Sequence, residues 1–214
     1  MTGAPDPWGV LVWTFALSML PLGAVMLTSF TKVSIVLALL RNALGVQQAP
    51  SNLALAGISL AVTLLIMGPL ASRIGDRLDL EGMLAGSSRP ALSEMIEAVG
   101  PPLREFMEKH VDEEELRALG TSAARLRHED EPVEGWSVLV PAFVISEVAS
   151  AFRIGMYLAI GFAVIDLIVA NLLMAMGMTM FPPSTVATPL KLLVFVATAG
   201  FSRTIRGLIE SYAG

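Results

Sequence analysis

The sequence predicts an all-α membrane protein with broken hydrophobic helices, on three observations. Its 214 residues are 54% hydrophobic and only 15% charged, with a mean hydropathy of +0.69. A soluble domain carries about 25% charged residues, so too little polar surface remains to keep such a chain in water. The same deficit excludes disorder. Second, the charges are segregated: residues 73–134 hold 8 basic and 15 acidic groups, and the rest of the chain holds 6 and 4. Third, prolines and glycines interrupt the last apolar stretch at intervals too short for ordinary spans. The predicted organisation is an N-terminal hydrophobic helical pair (1–72), an acidic helical insert (73–134) and a C-terminal broken-helix region (135–214).

Composition also excludes several functions. A net charge of −5 argues against a nucleic-acid partner, which needs a basic face to displace counterions. The absence of cysteine rules out disulfides, a thiolate nucleophile and cysteine-ligated metal.

The first apolar block, Trp8–Ser72, holds two candidate spans. No charge occurs from Pro7 to Thr31 or from Asn42 to Ser72, and about 20 apolar residues cross the ~30 Å hydrocarbon core. Between them runs a turn-rich connection from Lys32 through Arg41 to Pro50. Its basic residues place it in the cytoplasm under the positive-inside rule, with the N-terminus and the acidic insert facing outward. No Lys or Arg precedes residue 32, so the basic start of a cleavable signal is missing and the first span is expected to be kept.

The insert reads as two short amphipathic helices. Leu92, Met95, Ile96 and Val99 follow helical spacing until Gly100-Pro101-Pro102, and Leu103, Phe106, Met107, His110 and Val111 repeat it. The run Asp112–Glu115 reads as a solvated helix face, since its spacing matches no metal loop. His110 and His128 have no companion ligands and read as structural.

The second block, Gly135–Phe201, is less regular. Asp166 to Lys191 encloses 24 uncharged residues broken by Pro182, Pro183 and Pro189, and Lys191 to Arg203 encloses only 11, about 16 Å of helix. Broken helices at membrane depth occur where they are buried in protein or line a cavity. Glu147, Arg153 and Asp166 each cost roughly 2.5–3.5 kcal/mol at a helix centre, and none has an opposite charge at i±3 or i±4. Their partners must come from another helix or another chain. Three readings stay open: a polar inter-subunit interface, an ion or proton path, or a segment near the bilayer surface. Glu147 has Lys32, Lys191 or a partner's lysine as candidate counterions.

Met174, Met176, Met178 and Met180 recur at intervals of two. Alternation groups side chains on one face only in extended backbone, and Gly177 with Pro182-Pro183 favours an unwound segment. One reading is a loop between half-helices whose thioethers, repeated around an axis, form a deformable apolar seal. The other is ordinary lipid-facing or core methionines in a helix. No metalloprotease, nucleophile-elbow or phosphate-loop motif is present, so neither catalysis nor a cofactor is expected.

Several of these segments, taken together, resemble the SctR/FliP family of bacterial type III secretion export-apparatus proteins. They are Thr28–Lys32, Leu40–Pro50 with Asn52, Val140–Glu147, Ala151-Phe152, Ile154-Gly155, Ile165–Val169, Met176–Met178 running to Pro182-Pro183, and Pro189–Leu193. The resemblance covers nearly all of 8–203 except the acidic insert. It implies helical hairpins assembling into a ring, a pentamer, joined by SctS/FliQ-like and SctT/FliR-like subunits. The assembly is the entry gate for unfolded protein substrates in the bacterial inner membrane, with a periplasm-facing portion. It further implies that the methionine loop (Met176, Met178, Thr179, Met180) closes the channel. Thr179 stands where the family pattern has a methionine. The intramembrane or inter-subunit polar contacts would involve Lys32, Arg41, Glu147, Arg153, Asp166 and Lys191, with Gly177, Pro182, Pro183 and Pro189 breaking the helices. The missing basic start and modest length resemble the injectisome branch more than the flagellar one. A small-solute or proton-coupled transporter using Glu147 and Asp166 is the alternative.

Overall fold

The computed structural model describes residues 11–213 except 12–13, 16–17, 20–21, 24, 47–48 and 79–91. The expectations for residues 1–10, for Gln47-Gln48 and for the middle of 73–134 therefore lie outside the described residues. Seven helices are bounded: α1 (Phe30–Leu44), α2 (Asn52–Gly75), α3 (Leu92–His110), α4 (Glu113–Arg127), α5 (Trp136–Ala175), α6 (Ser184–Ala197) and α7 (Gly200–Glu210). There is no strand among the described residues. The described residues of 11–27 are helical, before a turn at Thr28-Ser29.

α5 is the spine, and α1, α3, α4 and α6 all pack on it. Forty residues at 1.5 Å each make it about 60 Å long. α1 was expected within a connection; instead it is the most buried helix, with Val33, Val36, Leu37, Leu40 and Leu44 all in the core. They meet Leu55 and Val62 of α2, Ala151 and Phe162 of α5, and Leu208 of α7. The charge of Lys32 is consequently buried too, and it does not serve as a surface marker of topology.

Small residues on α5 permit this packing. Ala151 is fully buried, and a Cβ built on Gly155 would lie 2.3–3.2 Å from the Leu39 side chain. The Ala151–Gly155 spacing is the small-xxx-small device that lets two helix backbones approach closely.

Two local expectations are corrected. Gly100-Pro101-Pro102 does not end a helix, because α3 runs through it to His110. The two prolines bring no N–H to the ladder, but Pro102 is fully buried, and Ala98 and Met107 of the same helix are buried too, so tertiary burial overrides the breaker signal. Pro189 likewise lies inside α6 and breaks nothing. The break falls instead at Thr198-Ala199, where α6 and α7 bend by 62° and Ala199 is left-handed (φ 50°). Gly200 opens α7 with the Phe195 ring lying where its Cβ would be.

Two described helices, α2 and α5, are long and apolar enough to cross a membrane, and the bent α6–α7 pair forms a third candidate. Asp112 caps α4 by accepting from the Glu114 N–H at 2.9 Å. Glu113, Glu114 and Glu115 fill its first turn, where carboxylates complement the helix dipole. His128 ends α4 in a left-handed conformation, exposed to solvent.

Candidate functional site

One buried ion pair, a second pair with its carboxylate half exposed, and one exposed turn stand out. Burying a charge is tolerated only when it is paired, and the fold supplies lysines from elements distant in sequence. Glu147 Oε1 lies 3.7 Å from Lys32 Nζ, with both side chains almost fully buried. Glu147 Oε2 accepts a hydrogen bond from the Tyr212 hydroxyl, and Lys32 Nζ sits 4.4 Å above the Tyr212 ring. Burial, reinforced by the Glu147 carboxylate, pushes the Tyr212 phenol well above its ordinary range, so it remains a proton donor. His110 closes the cluster: its Nδ1 lies 2.6 Å from the Phe106 carbonyl and its Nε2 3.4 Å from that of Tyr212.

The second pair joins Lys191 Nζ to Asp166 Oδ2 at 2.5 Å. Lys191 also donates to the Ala43 carbonyl at 3.2 Å, one of the last carbonyls of α1, where a cation complements both the unsatisfied acceptor and the helix dipole. This one ammonium ties α6 to α5 and α1. Both Glu147 and Asp166 thus find their partners on other helices of the same chain.

Arg41 is a clamp. Its guanidinium donates to Asn52 Oδ1 at 2.7 Å and to the Pro50 carbonyl at 3.2 Å, fastening the turn after α1 onto the start of α2. Ser51 caps α2 through the Ala54 N–H. Arg153 differs from the other polar residues of α5. It is exposed, has no ion pair among the described residues, and borders a cleft of about 420 Å³ lined also by Asp112, Glu114, Glu115, Ser146 and Ser150. On α3, the Glu105 carboxyl is held below the usual carboxylate range by the guanidinium of Arg73, in the last turn of α2.

The methionines depart from extended geometry. Met174 belongs to α5, and Met176 caps it. The Met178 N–H returns to Leu173 O at 2.9 Å, and the Gly177 N–H to Met174 O at 3.0 Å, the paired bonds of a Schellman cap. Gly177 takes the left-handed position (φ 76°) that this cap requires. The period of two therefore reflects a helix end followed by turns, with Pro182 and Pro183 leading into α6. Met176, Met178, Thr179 and Met180 all stand outside the core, and Met180 is 97% exposed.

Tyr212 was absent from the sequence-based site. It lies beyond the recognisable segments, and its only signal is that it is one of two tyrosines. The bend at Ala199 carried no proline, and its one local signal, the adjacent Gly200, was not read as a break.

Relatives share this chain over its whole length. It is 40% identical to the hypersensitivity response secretion protein HrcR of Ralstonia nicotianae, covering 95% of this chain and 96% of that one. It is 36% identical to the Yop proteins translocation protein R of Yersinia pestis, over 100% of both. Identity to the flagellar biosynthetic protein FliP of Pectobacterium carotovorum is 42%, over 94% of this chain and 77% of the flagellar one. The model of the FliP family matches residues 13–208, which takes in α1 to α7 almost entirely along with both ion pairs and the methionine turn, and the chain belongs to that family.

Proposed function

We propose that this chain is a non-enzymatic subunit of a type III secretion export gate. Several copies, a pentamer in the family pattern, assemble with SctS/FliQ-like and SctT/FliR-like subunits in the bacterial inner membrane. They form the conduit through which unfolded proteins are exported, part of it facing the periplasm. Full-length similarity to proteins named for secretion and translocation supports the coarse role.

The observation that carries the gating role is the turn at the end of α5. Met176, Met178 and Met180 project clear of the core in a segment with no lysine, arginine or carboxylate. Thioether side chains are flexible and fill irregular gaps, so a ring of such turns closes around an axis without a fixed fit and yields to a passing chain. Thr179 makes one layer of the seal less apolar. The transporter alternative needs Glu147 and Asp166 free to meet a solute, and both are occupied by Lys32 and Lys191.

Because the chain has no cysteine, Met178→Cys is a probe without background. Co-expressed with its partner subunits and mildly oxidised in membranes, it is expected to give a disulfide-linked dimer on a non-reducing gel, absent for Glu97→Cys. Monomer alone, with the thiol oxidisable and the complex intact, would remove the methionine ring.

A further inference from the structure

We propose that the turn at 211–213 is a strap that closes a buried ion site and so holds α1 against α5, with Tyr212 as the positioning residue. Four elements meet there: Lys32 on α1, His110 on α3, Glu147 on α5 and Tyr212 beyond α7. Glu147 is 2% exposed, Lys32 5% and Tyr212 8%.

The pair does not satisfy itself. At 3.7 Å the ammonium and carboxylate are in ion contact but beyond ordinary hydrogen-bond reach. Among the described residues, the only side-chain hydrogen bond to the carboxylate comes from the Tyr212 hydroxyl. The same side chain supplies the ring face beneath Lys32, a contact that gains strength when desolvated. Removing Tyr212 therefore takes a partner from both ions at once, in a site where an unsatisfied charge is expensive.

The strap is anchored at both ends. On one side Leu208 is buried in the core shared by α1, α2 and α5. On the other, the Tyr212 ring stacks on Phe106 (centroids 6.1 Å, planes 12° apart) and contacts His110 at 5.0 Å. The Tyr212 and Ala213 N–H groups bond back to Ile209 and Glu210 at 3.0 Å, which turns the ring inward under α1. Since Tyr212 follows α7, the strap seats only after α6 and α7 have folded back. Docking of α1 on α5 is thereby coupled to placement of a segment far away in sequence. The device is independent of the methionine turn.

The test is amide hydrogen exchange on the purified full chain in detergent, with Tyr212→Phe and Tyr212→Leu, each also in a Glu147→Gln background. Tyr212→Phe keeps the ring and removes only the hydroxyl. A hydrogen bond to a charged group predicts that it speeds exchange across residues 30–37 roughly tenfold or more, with Tyr212→Leu larger. In the Glu147→Gln background the effect of Tyr212→Phe is expected to shrink below about threefold, the coupling expected of groups in contact. Changes confined to residues 200–213, or an equal effect of Tyr212→Phe in both backgrounds, would overturn the proposal. Should Tyr212→Leu fail to fold, the Tyr212→Phe arms alone decide.

Discussion

Glu147 shows how a charge placed in an apolar helix becomes a structural commitment. A carboxylate in the interior costs several kcal/mol unless paired, so its position on α5 fixes where Lys32 must sit, and with it the register of α1. The sequence displayed the difficulty, an acid among apolar residues, along with three candidate counterions. It could not display the answer, because which lysine arrives depends on how α1 crosses α5. The consequence is measurable. Lys32→Met leaves the carboxylate buried without a counterion and is expected to cost about 3–5 kcal/mol. Combining it with Glu147→Leu removes both charges and is expected to restore most of that loss, since apolar replacement of a buried pair is often neutral or favourable. Denaturant unfolding of the four proteins in detergent checks the cycle; additive losses would show that the two side chains act separately.

Among elements, the helices whose identity rests on burial were read correctly as helices and incorrectly at their ends. The apolar spacing of α3 was visible on both sides of Pro101-Pro102, but the local breaker signal divided one helix into two. Pro189 misled in the same way within α6. Conversely, α6 and α7 part at Ala199, a residue with no turn preference, because the Phe195 ring over Gly200 and its edge contact with Phe162 (6.1 Å) favour the bend. Gly200 is a weak local hint, but the ring contacts that select this position over the prolines are tertiary and leave no trace in a window of sequence. The α1–α5 contact gives a sharper case. Gly155→Ala places a methyl against Leu39 and is expected to destabilise by about 1–3 kcal/mol, the usual cost of overpacking. Gly161 lies six residues on in the same helix, with nothing within 4 Å of its would-be Cβ. There the same substitution is expected to be neutral or to stabilise by about 0.5–1 kcal/mol through helix propensity. Thermal unfolding of both variants in detergent reads the signs, and equal shifts would contradict a close helix crossing at Gly155.

At the scale of the whole molecule, the exposed apolar surface is too long for lipid tails alone. Along α5, exposed side chains run from Ile145 through Phe152, Tyr157, Ile160, Leu167 and Leu172 to Met174. That stripe spans about 44 Å of helix, against a hydrocarbon core of ~30 Å. Fitting it within the hydrocarbon core needs a tilt of about 47°, beyond the roughly 0–40° that membrane helices adopt. Lipid tails therefore leave one end of the stripe to the headgroup region or to neighbouring protein, and the proposed ring is the reading in which protein covers it. The overhang follows from helix length and exposure without any appeal to relatives. Single cysteines at Ile145 and Met174, in a chain with no others, locate the uncovered end. In membranes holding this chain alone, a water-soluble maleimide is expected to label at least one of the two positions rapidly. Co-expression with the partner subunits is expected to slow that reaction at least about tenfold, as burial in an interface excludes the reagent. If neither position reacts in the lone chain, the bilayer covers the whole stripe and the need for neighbours disappears. If the reactive end stays equally reactive in the complex, the neighbours lie against some other face.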